Sequence, residues 1–137
     1  MDLLKHHHVI NSVIRTNNNN NFKGNLKIAF WNIEGERQFN LMCDKDISTI
    51  NQNHIIGLCE TWAENDYFRP AFSRFRKVSV LAKRDVSVGR AKGGIIIYYR
   101  NDIFKKHECL SQTDHYIILK LWAENFEIII GCVYIQP

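Results

Sequence analysis

Three short segments place a polar side chain directly after an apolar run: Trp31-Asn32-Ile33-Glu34-Gly35, Gly57-Leu58-Cys59-Glu60-Thr61-Trp62 and Gly131-Cys132-Val133-Tyr134-Ile135-Gln136-Pro137. Amide, carboxylate and phenol groups at strand ends can converge on a crevice, because a rigid element holds each in a fixed geometry. Each segment alone has a plainer reading, since an Asn or Glu at a strand end is commonly a turn former or a solvated charge. Two further juxtapositions look like chemistry. Asp114-His115 sets a carboxylate beside an imidazole, the logic of an oriented general base, and Cys109 lies near His107 as a thiol nucleophile lies near its base. The first reads as a strand-entry turn, and the second lacks any orienting third group.

Positioning these groups requires strands. Residues 26–31 alternate in part and are bulky, which reads as a strand ending at Asn32. Phe39, Leu41, Met42, Ile47 and Ile50, set among charged and amide side chains, fit a helix over residues 37–52. The continuous apolar run at residues 54–59 suits a buried parallel strand with Glu60 just beyond its end. In such a strand, helix, strand unit the strand ends carry the chemistry. Residues 78–82, 93–99, 116–122 and 126–135 also have strand length and content, and Ala123-Glu124-Asn125 reads as the turn of an antiparallel hairpin. The expectation is an α/β domain with a mixed sheet, flanking helices and antiparallel later strands. Residues 1–25 read as a flexible Asn-rich leader. Leu3, Leu4, Val9, Ile10, Val13 and Ile14 could line a short helix there, and the run from Asn17 to Asn21 favours a tether.

The chain has 137 residues, 45% hydrophobic and 23% charged, which excludes wholly disordered, collagen-like and coiled-coil classes. A net charge of +4 names no partner by itself. Its distribution does more: between Arg69 and Lys106 eleven basic residues face only Asp85 and Asp102, so this stretch carries +9 and the remainder −5. A localised basic band suits a polyanion, because each neutralised phosphate releases counterions. Arg74, Arg76, Lys83, Arg84, Arg90 and Lys92 are its candidate nucleic-acid contacts. The bland alternative is a solvated surface. Cys43, Cys59, Cys109 and Cys132 show no zinc-site spacing, and Cys59 and Cys132 sit in apolar runs, so reduced, buried thiols and an intracellular setting, nuclear or cytoplasmic, are expected. The opening Met-Asp-Leu-Leu-Lys lacks the pattern of a secretory signal, and the longest apolar runs fall short of a membrane helix.

Taken in order, the segments resemble the endonuclease/exonuclease/phosphatase family, in particular the apurinic-type endonuclease domain of non-LTR retrotransposons. The resemblance rests on four motifs in residues 26–137: Asn32-Ile33-Glu34-Gly35, Glu60-Thr61-Trp62, the strand Gly93-Gly94-Ile95-Ile96-Ile97-Tyr98-Tyr99-Arg100, and Val133-Tyr134-Ile135-Gln136-Pro137. It implies part of a four-layer α/β sandwich and a magnesium-dependent phosphodiester hydrolase acting on nucleic acid, DNA first. By the same resemblance Glu60 is the principal Mg2+ ligand, Glu34 an accessory acid and Asn32 an amide that arranges metal and phosphate. Tyr134 is the phenol that contacts the scissile phosphate.

In the family an Asp-x-Asn segment and a terminal Asp-His pair follow the tyrosine strand, and they are not among these residues. The expectations are therefore an N-terminal part of the domain, no activity from this chain by itself, and self-association through exposed sheet surface. Two alternatives stay open: a non-catalytic nucleic-acid-binding remnant, and a family member acting on RNA or phosphoinositide.

Overall fold

The computed structural model describes residues 25–35, 44–85 and 89–135, together with the backbone of two short strands, β1 (His8–Val9) and β2 (Ile14–Arg15). The elements that follow are β3 (Ile28–Asn32), α1 (Asp44–Asn51), β4 (Ile55–Cys59), β5 (Phe75–Val80), β6 (Ile95–Arg100), β7 (Phe104–Gln112), β8 (Tyr116–Ala123) and β9 (Glu127–Val133). They form two sheets, ordered β1-β3-β4-β6-β5 and β2-β9-β8-β7. Among the described strands only β3 and β4 pair in parallel, and every other pairing is antiparallel. The protein is thus mixed α/β and mostly sheet.

Alternating burial stacks the sheets. Ile117, Leu119 and Leu121 of β8 and Ile128, Ile130 and Cys132 of β9 point inward and join Ile28, Ile55, Ile95, Ile97 and Tyr99 of the first sheet in one core. The opposite face of the first sheet carries Ala29, Trp31, Ile56, Leu58, Ile96 and Tyr98, which pack with Ile50 of α1 and with Phe72 in the 3-10 turn Pro70–Phe72. Phe72 stacks on Tyr98 with ring centroids 4.0 Å apart. The described residues therefore make three layers: helix, sheet, sheet. Lying between two cores, β4 is buried on both faces, and this is why its sequence is an unbroken apolar run.

Several elements differ from the sequence expectation. The helix is described only over Asp44–Asn51, and Phe39, Leu41 and Met42 lie outside the described residues. Past its last turn, Asn53 Nδ2 donates to the Thr49 carbonyl at 2.9 Å. Strand β5 begins at Phe75 rather than at 78, with Phe75 opposite Arg100. Strand β7 was not anticipated: in Phe104–Gln112 only the first residue is buried, so no apolar alternation marks it. Val9 and Ile14, expected on a helix, lie in strands that pair antiparallel with β3 and β9; Asn17 to Asn21 lie outside the described residues.

The hairpin expected at Ala123-Glu124-Asn125 is present, with Ala123 N donating to the Phe126 carbonyl at 2.8 Å. Cys132 is buried, Cys59 only half-buried and Cys109 exposed, all as free thiols. Burial is the main cause that pushes the Cys59 thiol up to about 11 and Cys132 up to about 12. No helix among the described residues is long and apolar enough to cross a membrane.

Candidate functional site

Strand register decides which residues can meet. Asn32 pairs with Cys59 across the parallel β3–β4 ladder, Cys59 lies opposite Ile95, and Ile95 lies opposite Val80. The chain after Asn32, after Cys59 and after Val80, and the chain entering Ile95, therefore all lie at one end of the first sheet. In the second sheet Tyr116 pairs with Val133, and Tyr134 N donates to the His115 carbonyl at 2.8 Å. Lys83 Nζ reaches Asp114 Oδ2 at 2.9 Å and ties the two sheets together at that same end.

Glu60 sits at the centre, with 8% of its surface exposed. The indole Nε1–H of Trp62 donates to Glu60 Oε2 at 2.5 Å. Tyr134 lies close enough for the Glu60 carboxylate to act on its phenol, so the second sheet brings a phenol beside a carboxylate carried by the first. Burial, then the neighbouring Glu60 carboxylate, push the Tyr134 phenol up to about 12, with further pushes from Cys59 and Glu34. The cause is simple: a phenolate beside carboxylates in a partly desolvated site is disfavoured. The phenol is thus a hydrogen-bond donor throughout the physiological range.

Glu34 is exposed, and its backbone N–H donates to Asn32 Oδ1 at 3.2 Å, so the Asn32 side chain shapes the turn that carries Glu34. Glu34, Glu60 and Trp62 adopt φ of 48, 56 and 55°, left-handed conformations that cost a residue with a Cβ roughly 1–2 kcal/mol each. Three such residues within one site are held by their surroundings. Gly35 N donates to the Glu60 carbonyl at 2.8 Å, Thr61 N to the Gly94 carbonyl at 3.3 Å and Trp62 N to the Gly93 carbonyl at 3.0 Å. A Cβ on Gly35 would lie 2.6 Å from the Trp62 ring, and a Cβ on Gly94, at φ +92°, would run into Thr61 Oγ1. Backbone approach without side chains is what brings the Glu60 segment this close to its neighbours.

Beside Tyr134 opens a cleft of about 200 Å³ whose wall includes Lys83, Lys92, Gly93, Gly94, Asp114 and Asp85. Lys83 and Lys92 exchange both backbone hydrogen bonds, at 3.1 and 2.9 Å, which sets their side chains on one face of a two-stranded ribbon. The two aspartates balance that charge. Asp114-His115 occupies the bend between β7 and β8, a strand-entry turn as expected, and contributes to the cleft wall as well.

The basic band divides. Lys83, Arg84, Arg90 and Lys92 lie on the segments at the Glu60 end, whereas Arg74 and Arg76 lie at the start of β5, at the opposite end of the sheet and about 16 Å away for five strand residues. Arg84 makes a two-point pair with Glu64, both contacts at 3.0 Å, which lowers the Glu64 carboxyl below its ordinary value. The Arg90 guanidinium lies 3.9 Å from the Trp62 ring centroid. Trp62 and Gly94 had no assigned role in the sequence reading. The available signal was an indole, a group that seeks an acceptor when partly buried, two positions from a carboxylate. No family model matches the chain, and no curated protein matches it.

Proposed function

We propose that this end of the molecule is the metal-and-phosphate half of a magnesium-dependent phosphodiesterase site of the endonuclease/exonuclease/phosphatase kind, acting on nucleic acid, with DNA the first substrate to test. The observation that supports it most is the meeting of Glu60 and Tyr134 from two different sheets, with Glu34 near enough to influence the phenol.

The residues suit magnesium. That ion commonly takes one or two carboxylates and fills its octahedron with water and phosphate oxygens. Glu60 and Glu34 match that pattern; among the described residues no group of three His, Cys, Asp or Glu forms a closed cage. When bound, the cation would neutralise phosphate charge and stabilise the leaving oxygen. Tyr134, protonated at neutral pH, donates to a phosphate oxygen that another carboxylate would repel. Asn32, with its Oδ1 turned to the Glu34 N–H, retains its Nδ2 donor for the same phosphate. In this reading the architecture is a four-layer sandwich, with a further layer on the outer face of the second sheet, where Val133 is exposed.

Calorimetric titration with magnesium tests the assignment. Glu60→Gln should weaken binding by at least the roughly 10–100-fold that loss of even an outer-shell partner costs. Unchanged affinity would remove Glu60 from the site. A non-catalytic nucleic-acid-binding role is favoured by Lys83, Arg90 and Lys92 at the same end; oligonucleotide binding indifferent to both magnesium and Glu60→Gln would select it.

A further inference from the structure

One oxygen of the Glu60 carboxylate is already engaged. Trp62 Nε1–H donates to Oε2 at 2.5 Å, and an indole is a donor only, so it occupies one lone pair of that oxygen, crowds the space beside it and cannot itself be a ligand. The ring is held from several directions. Its residue has φ 55°, its backbone N–H is bound to the Gly93 carbonyl at 3.0 Å, Gly35 lies against its edge so closely that a Cβ would be 2.6 Å away, and the Arg90 guanidinium covers its face at 3.9 Å. Tyr134 lies beside the same carboxylate. Chelation of one cation by both Glu60 oxygens would have to use the remaining lone pair of Oε2 beside an indole that all of these contacts hold in place.

We infer that Trp62 makes Glu60 a one-oxygen ligand and so selects magnesium against calcium, an inference that rests on the metal reading of Glu60 given above. The chemistry of the two ions carries the step. Calcium takes six to eight oxygens in flexible geometry and commonly uses a carboxylate through both, whereas magnesium demands a near-ideal octahedron and accepts a single carboxylate oxygen. Trp62 is a positioning residue here: it touches neither ion and acts through the carboxylate.

The test compares calorimetric affinities of the full chain for Mg2+ and for Ca2+ in wild type, Trp62→Phe and Glu60→Gln. Trp62→Phe should raise the calcium-to-magnesium affinity ratio by roughly tenfold, the lower range for an outer-shell change; a purely structural role would weaken both ions alike and leave the ratio where it was. Infrared difference spectra of the wild-type chain, taken against Glu60→Gln, provide a measurement that needs no folded Trp62 variant. The separation of the carboxylate stretching bands should report one-oxygen coordination with either ion. An unchanged ratio, or two-oxygen coordination of calcium in wild type, overturns the inference while leaving Glu60 as a ligand. Absence of Glu60-dependent binding of either ion overturns the metal reading and the inference together.

Discussion

Gly93 and Gly94 offer a paired experiment on how the Glu60 segment is held. Both have positive φ, +74 and +92°, but an added Cβ meets nothing within 4 Å at Gly93 and runs into Thr61 Oγ1 at Gly94. Gly93→Ala should therefore cost only the left-handed strain, roughly 1–2 kcal/mol. Gly94→Ala should carry that strain plus an overpacking cost of about 1–3 kcal/mol, because Thr61 is 1% exposed and its Oγ1 accepts from Ala63 N at 3.3 Å. Urea unfolding followed by far-UV circular dichroism gives both values. The second variant should also lose magnesium affinity, since Thr61 adjoins Glu60, while Gly93→Ala keeps it. Adding Thr61→Ala to Gly94→Ala should recover stability through a coupling of about 0.5–3 kcal/mol. Equal costs for the two single substitutions, or strict additivity with Thr61→Ala, would refute the steric argument.

Two other outcomes follow from the site geometry. The Tyr134 phenol titrates at about 12 in the fold against an ordinary value near 10, so the protonated phenol's contribution to stability is complete below about pH 10 and fades as pH rises to about 12. Glu60→Gln should lower that midpoint, read as the 295 nm absorbance difference from a Tyr134→Phe chain; an unmoved midpoint would separate the two side chains. For oligonucleotide binding, Lys92→Gln should flatten the slope of log affinity against log salt by roughly 0.7–0.9 for one lost phosphate contact, while Arg74→Gln with Arg76→Gln should change it little. Equal flattening would mean that the strand crosses both ends of the sheet.

Where burial follows a simple period, the fold was legible in the residues. The apolar run of β4, the alternation of β8 and β9 and the hairpin between them all reflect which faces are covered. Strand β7 was opaque because eight of its nine residues are not buried, so nothing in Phe104–Gln112 records its neighbours. The start of β5 was hidden for a related reason: Arg76 is exposed and Lys77 is paired with Asp66, and a charged stretch at a sheet edge looks like a loop. Within the site, Asn32, Glu60 and Tyr134 could be placed at strand ends. Their convergence could not be read, since Glu60 and Tyr134 belong to different sheets and periodicity within a strand carries no information about sheet-to-sheet register. The basic band shows the same gap: contiguous along the chain, it is divided by the length of β5 once the strand is laid down.

The pairing of β2 with β9 has a consequence for how the molecule is made. Ile14 and Arg15 lie opposite Ile129 and Ile128, so an edge of the second sheet joins two segments more than a hundred residues apart in the chain. On a ribosome, that rung cannot close until β9 has emerged, whatever the earlier strands have done. Contacts of such long sequence separation carry a large loop-closure entropy before any pairing rewards it, which slows folding toward the millisecond-to-second range of β-rich domains. Until then β9 has β8 on one side and an open backbone edge on the other. The Glu60–Tyr134 encounter waits for the same strand, because the residue that completes it follows directly after β9.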